Sequence, residues 1–525
     1  MKTLIKNGFI ADGSGSPGFA GAVVIEDGSI AGVFRTEEAD FVDEAFDAVH
    51  DARGSVVSPG FIDAHSHSDA YLVIEPDAPS KLSQGITTEI NGQCGGSIAP
   101  RYGEARLSGD WAEVLGGRLD WRSLAEYRET LAAARPSINT VQFVGHNTLR
   151  SSTVGYAGRT ASADELERMK SLLARELDDG GWGLTTGLIY QPGKYSDSAE
   201  VEALAQTAAE RGGFYATHMR SEGDRLLESI DEVIELAKAT GIRAEISHLK
   251  TSGKRNWGKI DAVLEKMQSA VDSGLLLGAD RYPFCAAGTD LDVVFPDWAG
   301  EGGAKAECAR LADGALRRRI IDELDASERD WSEVMIGGTW SADTREFSGR
   351  TVSEIVAAQN GKSVGETVCD ILERDRCLTG AFFFGMAETN MKRILAQPWT
   401  VPGSDASLRA PWGALGKDHP HPRAYGTMPQ YFQTMRESGF SLEETVARMT
   451  SIPARRFSIR NRGVLARGAC ADVAVWNPGE FRNSSTYANS HSFCSGMEKV
   501  FVNGALAFDR GVFTHSGTGR FLERN

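Results

Sequence analysis

The chain is predicted to be an α/β protein with a TIM-like (β/α)8 barrel at its centre and a small β-sandwich domain built from both chain termini. Two patterns carry this reading. Between residues 56 and 455, short apolar runs such as NTVQFVGHNT, GWGLTTGLIY, GGFYATHMRS, IRAEISHLKT and GLLLGADRYPF alternate with helical stretches. About eight such βα units imply a closed parallel barrel. At the two ends the texture is different: short strands separated by Asp-Gly and Asn-Gly turns, in TLIKNGFIAD and GAVVIEDGSIAGV and again in VLARGACADVAVWNPG and KVFVNGALAFDRGVF.

The helical stretches follow from their spacing. SADELERMKSLLARELDDG and DRLLESIDEVIELAKATG place apolar residues near i, i+3, i+4 and i+7, which gives each a single apolar face. The two terminal segments share one style, so they are expected to pair, as residues 1–55 with 456–525. The barrel is then 56–455, and the termini lie close together. Residues 286–350 break the βα rhythm. They are rich in Gly, Ala, Asp and Arg and carry Trp298, Trp331 and Trp340. This stretch reads as an insertion between barrel strands, either a lid or a surface excursion.

A length of 525 residues exceeds one ordinary core, in keeping with two units. The formal net charge of −16 argues against nucleic acid or an anionic membrane as the main partner. No apolar run approaches the roughly 20 residues that span a bilayer, and the N-terminal run is too short for a signal peptide. Seven cysteines stand at scattered positions with no CxxC pair. A disulfide framework is therefore not expected, and a reducing cytoplasm is the simpler compartment.

Ten histidines are present, and several stand where strands end. His65 and His67, in SPGFIDAHSHSD, are two residues apart and so point to one side of a strand, with Asp63 on the same face by parity. A lone HxH pair is common on surfaces. Here His218 in FYATHMRSE and His248 in AEISHLKTS also terminate apolar strands. In a parallel barrel such strand ends converge on one mouth, where imidazoles can hold zinc or a similar divalent ion. Cys94, in GITTEINGQCGG, follows another strand; it reads either as a buried apolar filler or as a thiolate ligand able to bridge two ions. Asp405, in WTVPGSDAS, reads as a metal ligand, a general base and acid, or both. His146, in VGHNTLR, is read as shaping the pocket, and His419 and His421 as part of a rigid Pro-rich loop. Arg220 and Glu222 read as an ion pair.

Together these residues resemble the N-acyl-D-amino-acid deacylases (D-aminoacylases) of the amidohydrolase superfamily. The resemblance runs through IKNGFIADGSG, VVSPGFIDAHSHSD, GITTEINGQCG, FVGHNTLR, GLTTGLIYQPG, ATHMRSEGDRLLESIDEVIELA, ISHLK, RYPF, HPHPRAYGT and ADVAVWNP, nearly the whole chain. It implies a barrel with a terminal β-sandwich and one or two divalent ions, zinc in the first instance. His65 and His67 would serve one position, and Cys94, His218 and His248 a tighter one. Cys94 would stand in for the carboxylated lysine usual in the superfamily. Asp405 would sit beside the metal and the attacking water. The family often reads GNCG where this chain reads GQCG, which alters the hydrogen bonding available beside a ligand.

The resemblance implies hydrolysis of the amide bond of N-acyl-D-amino acids. A divalent ion lowers the pKa of water, so hydroxide is the expected nucleophile. Asp405 would take the water proton and pass it to the leaving nitrogen, which leaves poorly unless protonated. The partner is then a small molecule with a free carboxylate. Lys250 lies two residues after His248, hence on the same face. By resemblance Lys250 binds the substrate carboxylate, with Tyr190, Tyr282 and Arg393. The alternatives are a dipeptidase acting on a C-terminal D-residue, or a cyclic amidase of the hydantoinase or dihydropyrimidinase type. A non-catalytic metal-binding protein is the reading from a different class; the presence of every ligand candidate together with Asp405 argues against it. The number of subunits is left open.

Overall fold

The computed structural model describes residues 1–38, 41–107, 111–118, 120–359 and 361–524. Eight parallel strand segments surround one axis: Phe61–Asp63, Ile86–Asn91, Asn139–Gln142 continuing as Val144–Gly145, Gly183–Gly187, Phe214–His218, Arg243–Ile246, Leu277–Arg281 and Thr400–Pro402. Each pairs in parallel with the next. The ring closes where Ser66 bridges Ala406 and where the Asp405 amide donates to the His65 carbonyl at 2.8 Å. This is a (β/α)8 barrel.

The helices form for local reasons and pack for non-local ones. Ala163–Asp178 opens with a capping box, in which Ser162 and Glu165 satisfy each other's backbone amides. Leu226–Thr240 stops at Gly241, whose φ of 68° is left-handed and suits glycine. Their apolar faces, with Met169, Leu173, Ile230 and Val233, pack on the outward side chains Leu184, Tyr215 and Ile246 of the strands. Each fully buried aliphatic side chain contributes roughly 1.5–3 kcal/mol.

Both ends of the chain meet in one nine-stranded sheet, where Val56–Pro59 runs antiparallel to Val473–Trp476. Ile5, Val23, Val57, Val473 and Phe501 fill a core of its own. Two of its hairpins turn at Asp27-Gly28 and Asn503-Gly504, all four residues at positive φ, as a two-residue hairpin turn requires. Two boundaries differ from expectation. Val56–Pro59 belongs to this sheet rather than to the barrel. The last residues leave the sheet, and Thr140 of the third barrel strand exchanges hydrogen bonds with Arg520 and Leu522.

The excursion after the seventh barrel strand is longer than the expected 286–350. Its strand Ala286–Asp290 pairs antiparallel with Gly380–Phe384, which also pairs with Val334–Ile336. Four helices of seven residues or more lie between these strands, around a core that includes Ile320, Trp331, Ile355 and Leu372. The stretch 351–384 holds an amphipathic helix followed by an apolar strand, locally the same pattern as a barrel unit. Only its antiparallel partner marks it as part of the insertion.

Candidate metal centre

Six side chains converge at the C-terminal mouth of the barrel. Ligand atoms of His65, His67, Cys94 and Asp405 lie within 4.8 Å of one another, as do those of Cys94, His218 and His248. Cys94 is common to both groups. Its sulfur is 3.4 Å from His65 Nε2 and 3.3 Å from His248 Nε2. Asp405 Oδ1 is 3.1 Å from His67 Nε2 and 3.3 Å from His65 Nε2.

The backbone at these positions is unusual. Cys94, His248 and Asp405 have φ of 52°, 37° and 50°, a region that side-chain-bearing residues seldom adopt and that concentrates at functional sites. The loop carrying Cys94 can dock because its neighbours are glycines. A Cβ at Gly187 would come within 2.0 Å of the Cys94 carbonyl oxygen, and one at Gly145 within 2.2 Å of the Gly95 carbonyl oxygen.

The residues fit a divalent ion. Neither ring nitrogen of His218 makes a hydrogen bond within the usual distance; its Nε2 has only Glu222 at 3.6 Å and Cys94 in the cluster beside it, which leaves it available to an ion. His65 Nδ1 lies 3.0 Å from Asp280, so it can donate there and leave its Nε2 lone pair facing the cluster. His248 Nδ1 is 2.8 Å from both Glu222 and Lys250. Donation to Glu222 leaves Nε2 free towards Cys94; acceptance from Lys250 would not. The first tautomer is the one suited to metal.

Without an ion, the cluster balances its charges with protons that a metal would have to displace. Burial alone would raise the Cys94 thiol, but His65, His248 and His218 around it hold it well below its ordinary value, as a thiolate. Burial alone would lower His65, yet Asp280 and Cys94 hold it well above the usual histidine value. His248 is likewise opposed by burial and Lys250, but Glu222, Asp405 and Cys94 push it up to about 10. Asp405 would rise on burial; Arg423, His248 and His67 bring it well below the usual carboxylate range.

Beside the cluster stands a cationic, aromatic wall. Lys250 is buried and pairs with Glu222. Arg423 donates to Asp405 Oδ2 at 2.7 Å and to the Gly288 carbonyl at 3.0 Å. The Tyr282 ring is faced by Arg423 at 4.6 Å and Lys250 at 5.9 Å, and its hydroxyl has no partner. The Tyr190 ring packs 4.9 Å from His218, and burial with the nearby Cys94 charge keeps its hydroxyl protonated well above the ordinary range.

Arg393 is not part of this wall. It lies on the helix Glu388–Leu395, half exposed, and donates to the exposed Asp261 at 2.5 Å. An arginine that does stand beside the cluster is Arg423, at the start of the helix Arg423–Glu437; it lies within HPHPRAYGT, a motif of the resemblance that assigns Arg423 itself no role. Arg220 and Glu222 do not pair either. Arg220 donates to Glu232 at 3.0 Å, while Glu222 serves Lys250 and His248. Asp280 was also missed; strand parity at the end of GLLLGADRYPF was the signal that could have found it. His146 lies away from the cluster, buried against Glu200 at 2.8 Å. His421 is 3.0 Å from the Ala286 carbonyl and 3.2 Å from the Tyr487 hydroxyl, and His419 is 2.6 Å from the Tyr487 carbonyl.

A closed parallel barrel with two histidines at the end of its first strand, further donors on later strands and an aspartate on the last defines a metal-dependent hydrolase of the amidohydrolase class. Residues 48–507 match the amidohydrolase family. The chain is 33% identical to the N-acyl-D-glutamate deacylase of Alcaligenes xylosoxydans xylosoxydans, over 100% of this chain and 97% of that one. Two solved structures, each 31% identical with a TM-score of 0.83 over 99% of both chains, are similar throughout. One is the N-acyl-D-glutamate deacylase of Bordetella bronchiseptica, complexed with zinc and a phosphonate inhibitor that mimics the tetrahedral intermediate. The other is a D-aminoacylase with a binuclear metal centre. The chain belongs to the amidohydrolase family, in the branch of the N-acyl-D-amino-acid deacylases.

Proposed function

We propose that this protein hydrolyses the amide bond of N-acyl-D-amino acids, giving a D-amino acid and a carboxylic acid. The observation that carries the reading is one mouth holding Cys94, His218, His248, His65, His67 and Asp405 next to Lys250, Arg423 and an unpartnered Tyr282 hydroxyl. Cys94, His218 and His248 would hold one ion, and His65 and His67 with Asp405 a second. Their mixed sulfur and nitrogen donors suit zinc, which the similar Bordetella enzyme contains. A bound divalent ion supplies Lewis acidity and water that ionises near neutral pH.

The chain's own groups do the rest. Asp405 receives the water proton and returns it to the departing nitrogen. Arg423, fixed to the second oxygen of Asp405, keeps the first directed at the histidines. The substrate α-carboxylate is met by Lys250 and Arg423, which can share their charge with it, and by the Tyr282 hydroxyl. Tyr190, neutral and beside His218, is placed to donate to the carbonyl oxygen as negative charge develops there. Preference for the D-enantiomer is inferred from the relatives. The seven unpaired cysteines, Cys94 among them, favour a reducing cytoplasm, and among the described residues no helix is long and apolar enough to cross a membrane.

The test is hydrolysis of paired N-acetyl-D- and N-acetyl-L-amino acids by metal-loaded protein, read as free amine, with a chelated control. Turnover confined to the D-series and lost on chelation is the expected result. Release from D-dipeptides or hydantoins, with none from N-acetyl-D-amino acids, would replace this reading with a dipeptidase or cyclic amidase.

A further inference from the structure

One cation at the mouth has no use in the scheme above. Arg281 ends the seventh barrel strand. Its neighbour Asp280 turns inward to His65, so Arg281 turns the other way, towards the insertion. It is fully buried. One terminal nitrogen donates to the Phe284 carbonyl at 2.9 Å and touches the Met386 sulfur at 3.1 Å. Its Nε and its other terminal nitrogen have no hydrogen-bond partner. Among the described residues no carboxylate pairs with it, unlike Arg423 and Lys250, which have Asp405 and Glu222.

A guanidinium does not shed its proton, and a buried charge is costly unless paired. The donors of Arg281 are therefore set for an anion that the chain does not supply. The position is informative. Arg281 lies 4.1 Å from the Tyr282 ring centroid and Arg423 4.6 Å from the same ring. Two carboxylates of one small dicarboxylate can meet one guanidinium each across that ring. Phe284 and Met386, which contact Arg281, are both only half buried, so a substrate group would have to reach the guanidinium by displacing them.

We propose that Arg281 receives the side-chain carboxylate of the substrate, so that acidic N-acyl-D-amino acids, N-acyl-D-glutamate or N-acyl-D-aspartate, are the preferred class. This rests on the deacylase reading and narrows it. The α-carboxylate occupies Lys250 and Arg423, the acyl carbonyl faces the metal cluster, and the side chain runs past Tyr282 beneath the insertion. Arg281 is then a specificity-determining residue.

The experiment measures kcat and KM of the zinc-loaded enzyme on N-acetyl-D-glutamate, N-acetyl-D-aspartate and N-acetyl-D-leucine. It compares the native protein with Arg281→Met and Arg281→Lys, with zinc content determined for each. The native enzyme is expected to favour an acidic substrate more than tenfold. Arg281→Met is expected to erode that ratio by about 100-fold, mainly through KM for the acidic substrates. Arg281→Lys keeps the charge but not the fork, and is expected to retain part of the ratio. Should Arg281→Met fail to accumulate, Arg281→Lys carries the same comparison. A native preference for N-acetyl-D-leucine overturns the inference and leaves the deacylase reading standing. An equal loss on all three substrates overturns it too, by making Arg281 structural. No turnover of any N-acetyl-D-amino acid by native, zinc-loaded protein overturns both readings.

Discussion

The Asp280 carboxylate lies 3.0 Å from Nδ1 of His65, and its other oxygen accepts the backbone amide of His248 at 2.9 Å. One buried carboxylate thus fixes the ring of one candidate ligand and the main chain of another. Groups that orient metal-binding imidazoles in this way typically matter 10–100-fold in affinity. Asp280→Asn is expected to weaken zinc binding by about that factor, measured by competition with a chromogenic chelator. Unchanged affinity would show that Asp280 does not orient His65.

Asp405 is assigned the proton transfers. Asp405→Asn keeps the shape and removes the base, so kcat is expected to fall by roughly 10²–10⁴-fold. Cys94, His218 and His248 remain, so metal is still expected to bind at that group. Steady-state kinetics with metal analysis on the same sample checks both. Turnover at the native rate would remove Asp405 from the mechanism.

Proton release should accompany metal binding. Without metal, His65 is held well above the ordinary histidine value, His248 is raised to about 10, and Cys94 is held as thiolate. At pH 7 these imidazoles therefore carry protons that an ion must displace. Apparent zinc affinity is expected to fall as pH falls. Calorimetric titration in two buffers of different ionisation enthalpy should give heats that differ by the protons released. Identical heats would contradict the charged cluster.

Two arginines can be told apart by kinetics. Arg423 is buried against Asp405, and Arg393 is half exposed against Asp261. Arg423→Gln is expected to raise KM by about 10–100-fold, since truncating a buried charge contact costs several kcal/mol. Arg393→Ala removes an exposed ion pair, typically worth less than about 1 kcal/mol, and should leave kcat/KM within a few-fold.

Glu200 links stability to pH away from the site. It accepts from His146 at 2.8 Å and pairs with Arg150. Burial alone would raise its pKa, but these two partners lower it from 4.5 to about 2. Its folded pKa is depressed, so its stabilisation is complete above 4.5 and lost as pH falls through about 2. At neutral pH that amounts to about 3 kcal/mol. Glu200→Gln is expected to lower the thermal midpoint of metal-free protein at pH 7, with the gap to the native protein closing as the solution is acidified from pH 5. A gap that stays constant with pH would mean that the Glu200 charge is not what stabilises.

What lay open in the sequence was whatever depends on short-range periodicity. The two-residue spacing of His65 and His67, the capping box of Ser162 and Glu165 and the Asp27-Gly28 and Asn503-Gly504 turns are all fixed within a few residues. The strand ends that carry His218 and His248 are legible for the same reason, because a βα unit writes its own apolar pattern. Tertiary structure decided what depends on distant partners. Arg393 and Arg423 look alike as letters, yet one sits on the outer face of a helix against Asp261 and the other at the mouth against Asp405. The segment 351–384 has the local pattern of a barrel unit and is placed in the insertion only by pairing with Ala286–Asp290. Asp280 and Glu222 gained their partners the same way. Hydrophobic spacing tells each segment which side to bury, but ring closure brings together residues hundreds of positions apart, and only there does a charge acquire its counter-charge.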